Sequence, residues 1–488
     1  MTLLSFGPLD YLAAFPALVM AVFGCAVLLV DVLARRTDVR SGRWLLGVSS
    51  AGVLLTGYSF LLQWQFLQRH GSLIALQGAV TIDHLALFTN VIIWISTAAL
   101  FCISYRYLEF SGEHRGEYYG ITFFAQCGMY FMAASVDLVA LFIGLETTAI
   151  CFYILVGFTR RERQANEAAL KYLLLGALSS AFVLYGFSLL YGVGGTTSLS
   201  AIAIGARQRG AFDAFVLLGV VTTAVGLLFK VSAVPFHSWA PDAYEGAPTP
   251  VTAYLSVASK VAAFAVLIRL LWFALPLTRP VWEPILIMAS VLSLTVGSIA
   301  ALTQLRLKRL LAYSSIAHAG YILLGLIAGT SLALSGVYVY LLVYAIMNFG
   351  AFAILASLRR HGIQGDDLTD LRGLSQTHPV HAAFFAVLLL SLAGIPPTAG
   401  FIAKYFIFAA LIETRHLALA VIAAVYAVIS LYIYFRLARE MYFFNAETHE
   451  PIAASFGIRL SLVLTTAVTI LLGIFPEPIL RVITGGAK

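Results

Sequence analysis

Seven ionisable side chains stand inside long apolar runs, where a charge is costly and therefore points to function. Lys230 and Lys260 bracket LFKVSAVPFHSWAPDAYEGAPTPVTAYLSVASK, with His237 between them. Glu146 lies in LFIGLETTAI, Lys171 in ANEAALKYLLLG, His318 in RLLAYSSIAHAGY and Lys404 in LAGIPPTAGFIAKYFIF. A buried ammonium needs partners, and once desolvated it can exchange a proton near neutral pH, where imidazole already titrates. A lone buried carboxylate protonates, whereas one beside Lys171 or Lys230 stays ionised and forms a pair that an arriving proton can switch. Charges about 10 Å apart interact by roughly 1.7 kcal/mol at an effective dielectric of 20, so a row of them passes a push along without large movements. Moving one proton against 150 to 200 mV costs about 3.5 to 4.6 kcal/mol, which several coupled sites can supply and one cannot.

Each residue also has a plainer reading. Lys171 sits only a few residues into its span, so its amine can snorkel outward. Glu146 can belong to a static helix-helix ion pair, and a single buried histidine is often a satisfied structural residue. Tyr313, Ser314 and Ser315 can line a water path beside His318, yet serine and tyrosine are also common in helix contacts. The company these residues keep favours a proton path over the plainer readings.

Two interrupted spans must position them. Pro235 follows Lys230 by five residues and removes a backbone hydrogen bond, opening the helix. Asp242, Glu245, Gly246, Pro248 and Pro250 then make a polar turn before the helix of Lys260. Between 380 and 413, Gly394, Pro396, Pro397 and Gly400 interrupt a run that would overshoot the bilayer as one straight helix, and Lys404 follows the interruption. Two proline-broken helices, each with a buried lysine, are the mark of an internal repeat with a site in each half.

The chain has 488 residues, 61% hydrophobic and 11% charged, with a mean hydropathy of +0.92, which excludes a soluble globule and implies a single integral membrane domain over 1–488. Hydropathy divides it into about fourteen spans, near 11–34, 44–64, 84–105, 118–134, 137–158, 168–192, 211–240, 251–275, 281–302, 309–330, 333–357, 380–413, 417–436 and 460–476. The first is too long for a signal-peptide core, lacks a basic residue before it, and reads as a membrane helix. Basic residues concentrate in alternate connections, among them Arg36, Arg40, Arg160, Arg161, Arg163, Arg306, Lys308, Arg309, Arg359, Arg360, Arg436 and Arg439. The other side holds fewer, including Arg69, Arg207, Arg209, Arg269, Arg279 and Lys488. The richer side is expected to be cytoplasmic, which puts both termini on the outer face. The net charge of +7 thus reflects membrane orientation rather than nucleic-acid binding. Cys25, Cys102, Cys127 and Cys151 lie in apolar spans without CxxC spacing, so neither a disulfide framework nor a metal cluster is indicated.

The string PFHSWAPDAYEGAPTPVTAYLSVASK, with the segments around Glu146, Lys171, His318 and Lys404, closely resembles subunit N of the bacterial proton-pumping NADH:quinone oxidoreductase, respiratory complex I. The likeness spans essentially the whole chain. Its relatives, subunits L and M and the Mrp-type antiporters, carry a PLHxWLPxA variant at the same break. Subunit L continues into a lateral helix, whereas this chain stops about a dozen residues after Pro476.

The resemblance implies an all-α polytopic fold of about fourteen transmembrane helices. Two inverted five-helix repeats would lie at 118–275 and 281–436, with broken helices at Pro235 and at Pro396 and Pro397. It implies that Glu146 and Lys171 form an interfacial ion pair and that Lys230 is the central lysine of the first broken helix. His237, Lys260 and His318 would continue a hydrophilic axis to Lys404 on the second. It also implies proton translocation in a bacterial inner membrane, with subunits M, K and J as neighbours. No cofactor is expected in this chain: FMN, iron-sulfur clusters and quinone would belong to partner subunits. The competing reading is a stand-alone or Mrp-type cation/proton antiporter, weakened because Glu146 is the only carboxylate deep within a span and no oxygen-rich cage is evident.

Overall fold

A computed structural model describes residues 7–35, 41–359, 365–446, 452 and 455–483. The expected outward placement of the two termini, and the expected loop positions of Arg36, Arg40, Arg360 and Lys488, lie outside these residues. The chain is a multi-pass helical membrane protein. Its helices are α1 (Pro8–Arg35), α2 (Ser41–His70), α3 (His84–Ser111), α4 (Gly116–Ala134), α5 (Leu138–Val156), α6 (Arg163–Gly194), α7 (Leu199–Arg209), α8 (Ala214–Lys230) and α9 (Trp239–Gly246). They continue as α10 (Thr249–Ala274), α11 (Pro276–Thr303), α12 (Leu307–Ala328), α13 (Ser331–Leu358), α14 (Pro379–Ala393), α15 (Ala399–Glu413), α16 (Leu417–Phe443), α17 (Phe456–Ile474) and α18 (Glu477–Ile483). A short hairpin, β1 (Leu73–Ala75) and β2 (Val80–Ile82), joins α2 to α3, with Leu73 opposite Ile82.

Eleven helices among the described residues are long and apolar enough to cross a membrane. The two interrupted spans are built instead from shorter halves, α8 with α9 and α14 with α15. The centre of the molecule is α10, α12 and α13, each 94% buried over its most apolar window, whereas α16 is 28% and α17 33% buried. A helix apolar on all sides is one surrounded by other helices, and α10 and α12 carry Lys260 and His318.

The first break begins earlier than its proline. Proline disfavours helix at the residue before it and brings no N–H, so α8 ends at Lys230 and Ser232 adopts φ +55°. Several of the freed groups are taken. Ser232 and Ala233 N–H donate to Phe229 and Leu228 carbonyls at 2.9 Å, and the Trp239 indole N–H returns to Phe229 O at 2.9 Å. Val234 N–H donates to Ser293 Oγ of α11 at 2.9 Å. The second break opens at Gly394, whose φ of +85° ends α14, and Gly400 N–H donates back to Ser391 Oγ at 3.0 Å.

Arg269 departs from its expected loop position. It is 5% exposed within α10, in a π-helical turn at Ile268–Ala274, and its guanidinium binds both oxygens of Asp83 at 2.8 and 3.1 Å. Asp83 caps α3, so the arginine can enter the apolar interior because a fixed carboxylate waits there. Lys308 is buried as well, bonding Ala247 O at 3.1 Å and Asp366 at 3.2 Å.

Candidate functional site

The two halves of the site are built around helix ends. Lys230 is the last residue of α8, where the freed carbonyls favour a cation. Its ammonium donates to Ser180 Oγ of α6 at 3.3 Å and lies 5.9 Å from the Phe229 ring centroid. Glu146 on α5 is close enough to interact with it electrostatically, and the Glu146 Oε1 atom is buried without a hydrogen-bond partner among the described residues. Lys404 on α15 follows the second break. Its ammonium donates to Ala393 O at 2.7 Å and Leu392 O at 3.4 Å, the last carbonyls of α14, and rests 5.0 Å from the Tyr321 ring centroid. At the second break the interrupted helix itself therefore supplies the oxygens that hold the lysine.

Between these ends lies a hydroxyl-lined interior. Lys260 follows a π-helical turn at Leu255–Ser259 and is 2% exposed. Its ammonium donates to Ser315 O at 2.9 Å and to Ser315 Oγ, which is 2.6 Å from Tyr344 Oη. One turn along α12, His318 has Nδ1 2.8 Å from Tyr340 Oη and Nε2 3.2 Å from Tyr434 Oη. Lys260 and Lys404 both lie within electrostatic range of His318. Helices α11 and α12 pack closely here because Gly297 has no side chain: a Cβ there would meet Ala317 N at 2.7 Å.

Residues 135–430 match the family described as NADH:quinone oxidoreductase/Mrp antiporter, TM. NADH-quinone oxidoreductase subunit N 2 of Solibacter usitatus (strain Ellin6076) is 51% identical over 475 residues, covering 97% of this chain and 96% of that protein. The chain belongs to the subunit N family. A chain of respiratory complex I from Thermus thermophilus with bound aureothin superposes with a TM-score of 0.80 at 31% identity, covering 96% of this chain and 98% of that one. A chain of the Mrp complex from Dietzia sp. DQ12-45-1b has the same fold, with a TM-score of 0.83 at 20% identity and coverage of 98% and 96%.

In this subunit N chain, Lys230, Lys260, His318 and Lys404 all point inward, towards hydroxyls and carbonyls. Lys171 does not. Its side chain is 47% exposed and pairs with Glu167 at 2.9 Å and Asp242 at 3.0 Å, so the pairing expected with Glu146 is replaced by a surface cluster that Arg309 joins through Asp242. The reason is the face of α6: Tyr172, the next residue, turns inward and stacks on Trp239 at 4.5 Å, which sends Lys171 out. His237 sits in the first break, half-buried, with its side chain hydrogen-bonded to the Pro235 backbone; among the described residues no bond joins it to the lysines. Pro235 is exposed in the same break. Sequence reasoning named Ser314 and Ser315 as possible lining but missed Tyr340, Tyr344 and Tyr434. The first two stand four residues apart in an apolar helix, a spacing that puts both hydroxyls on one face.

Proposed function

We propose that protons cross the membrane through the seam of Glu146, Lys230, Lys260, His318 and Lys404, coupled to quinone reduction in partner subunits. Family membership makes the chain a proton-translocating membrane subunit of an NADH-quinone oxidoreductase, and the route is our reading of the geometry. The observation that carries it is the set of ligands around the three inward lysines. Among the described residues each ammonium is held by neutral oxygens only, with no carboxylate in bonding contact. An ammonium held in this way can hand on its proton without stranding a bound carboxylate, which a tightly paired lysine cannot. Glu146 acts on Lys230 at longer range, as a partner whose charge biases that step. His237 would pass protons between water in the first break and Lys230, and Lys171 with Asp242 would stand at the rim.

The same reading puts FMN, the iron-sulfur clusters and quinone in partner subunits of complex I, with subunits M, K and J as the membrane neighbours. It puts the chain in a bacterial inner membrane with both termini outward, and treats 118–275 and 281–436 as inverted repeats. The two helix breaks, each with a lysine on freed carbonyls or at a helix end, support that internal symmetry.

The deciding experiment is Lys230→Ala in the assembled complex, with proton pumping and quinone reduction measured separately. Loss of both with assembly intact is expected, because a stalled proton step stalls the coupled electron transfer. Normal pumping in this variant would remove Lys230 from the route.

A further inference from the structure

Both ring nitrogens of His318 are occupied by tyrosine hydroxyls from different helices, Tyr340 of α13 and Tyr434 of α16. The Tyr434 hydroxyl has a second partner, Ser314 Oγ, one turn before His318 on α12. His318, Tyr340, Tyr434 and Ser314 are all buried. The Tyr344 and Tyr321 rings lie 5.3 and 6.5 Å from the imidazole, and Lys260 and Lys404 are the charged groups that face it.

Hydrogen-bond accounting constrains this cluster. Neutral imidazole has one N–H and one bare nitrogen, so one tyrosine accepts from it and the other donates to it. Imidazolium has two N–H groups, so both tyrosines must accept. Every change in the charge of His318 therefore turns one hydroxyl around. Tyr434 can turn without losing a bond, because Ser314 Oγ already stands on its other side. Tyr340 can accept from Nδ1–H throughout.

We propose that Tyr434 is the proton relay into His318, with Ser314 as its donor, so that α16 contributes a working side chain to the seam. An excess proton arriving at Ser314 Oγ displaces the serine proton onto Tyr434 Oη, and the original Tyr434 proton moves to Nε2. One O–H bond breaks and one forms at each hydroxyl, one N–H bond forms on the ring, and the positive charge ends on His318. Neither hydroxyl is left charged.

The inference rests on His318 lying on the transport route, so the test separates the two claims. Rates of NADH-driven proton pumping and of NADH oxidation are measured separately in membrane vesicles holding the assembled complex, for Tyr434→Phe, His318→Gln and the double variant. Tyr434→Phe keeps the ring and its packing, and is expected to lower pumping about tenfold, as expected when a buried partner is left without its hydrogen bond. The double variant should be no worse than His318→Gln, because the relay acts only through the ring. Tyr426→Phe is the control: its hydroxyl, on the same helix, bonds Thr295 Oγ1 at 2.7 Å, away from His318, and pumping should stay at the wild-type level.

Wild-type pumping in Tyr434→Phe, or additive losses in the double variant, would overturn the relay while leaving the route intact. Wild-type pumping in His318→Gln would overturn the route itself, and the relay with it. If Tyr434→Phe fails to assemble, Ser314→Ala removes the donor while leaving Tyr434 in place. A matching loss, again not additive with His318→Gln, supports the relay, and no loss overturns it.

Discussion

At the scale of single residues, the sequence identified which side chains are ionisable at depth but not which way each one faces. In water the polar face of a helix reveals itself, because apolar residues gather on the other side. In a bilayer both faces are apolar: Leu170 and Leu174 of α6 are 56% and 63% exposed, while Tyr172 between them is buried. Hydropathy therefore could not tell that Lys171 faces out and Lys230 faces in, and it left both open as partners of Glu146; the pair with Lys171 that the resemblance implies is not formed, because Lys171 is taken by Glu167 and Asp242. A double-mutant cycle on proton pumping checks the reassignment. Glu146→Gln and Lys230→Met should be strongly non-additive, whereas Glu146→Gln and Lys171→Met should add. Lys171→Met alone should cost at most about 1 kcal/mol in thermal stability, the usual worth of an exposed pair. Coupling of Glu146 to Lys171 instead would restore the original pairing.

At the scale of helices, the breaks were legible because proline and glycine act through the backbone, whatever surrounds them. The sequence could not show where every freed backbone group goes, since one acceptor comes from a distant segment. Ser293 is the clearest case: α11 reaches across to take the Val234 N–H, and three residues earlier Ser290 Oγ donates to Gly320 O beside His318. One helix thus grips both the first break and the helix of His318, which links the Lys230 end of the site to its middle. Ser293→Ala would leave a buried N–H without an acceptor, and should cost about 1 to 3 kcal/mol. Ser290→Ala removes only a second bond to a carbonyl and should cost less, about 1 kcal/mol. Thermal melting of the two variants, with the rate of proton pumping recorded alongside, checks the order. Equal costs would mean that Ser293 packs rather than caps.

At the scale of the whole molecule, the helices before the first interrupted span have to be fastened to the core that carries the seam, and besides apolar packing and the Thr97–Tyr254 hydrogen bond there is an ionic tie. Arg269 leaves the buried α10, binds Asp83 through two nitrogens and gives two further bonds to Ala133 O of α4, at 2.8 and 3.2 Å. Charge tallies count such an arginine as a loop residue, because sequence gives its distance from a span end but not the carboxylate that draws it inside. Breaking a buried pair from one side costs more than deleting it, since the partner keeps its charge and loses its ligand. Arg269→Ala should therefore lower stability by about 3 kcal/mol, the lower end of the range for buried pairs, because Asp83 keeps partial contact with solvent. The double variant Asp83→Asn with Arg269→Met should recover most of that loss, since asparagine still caps α3 and methionine fills the vacated volume. Thermal melting of the purified complex measures both, and a double variant no better than Arg269→Ala would show that the contacts to Ala133, rather than the charge pair, hold these helices together.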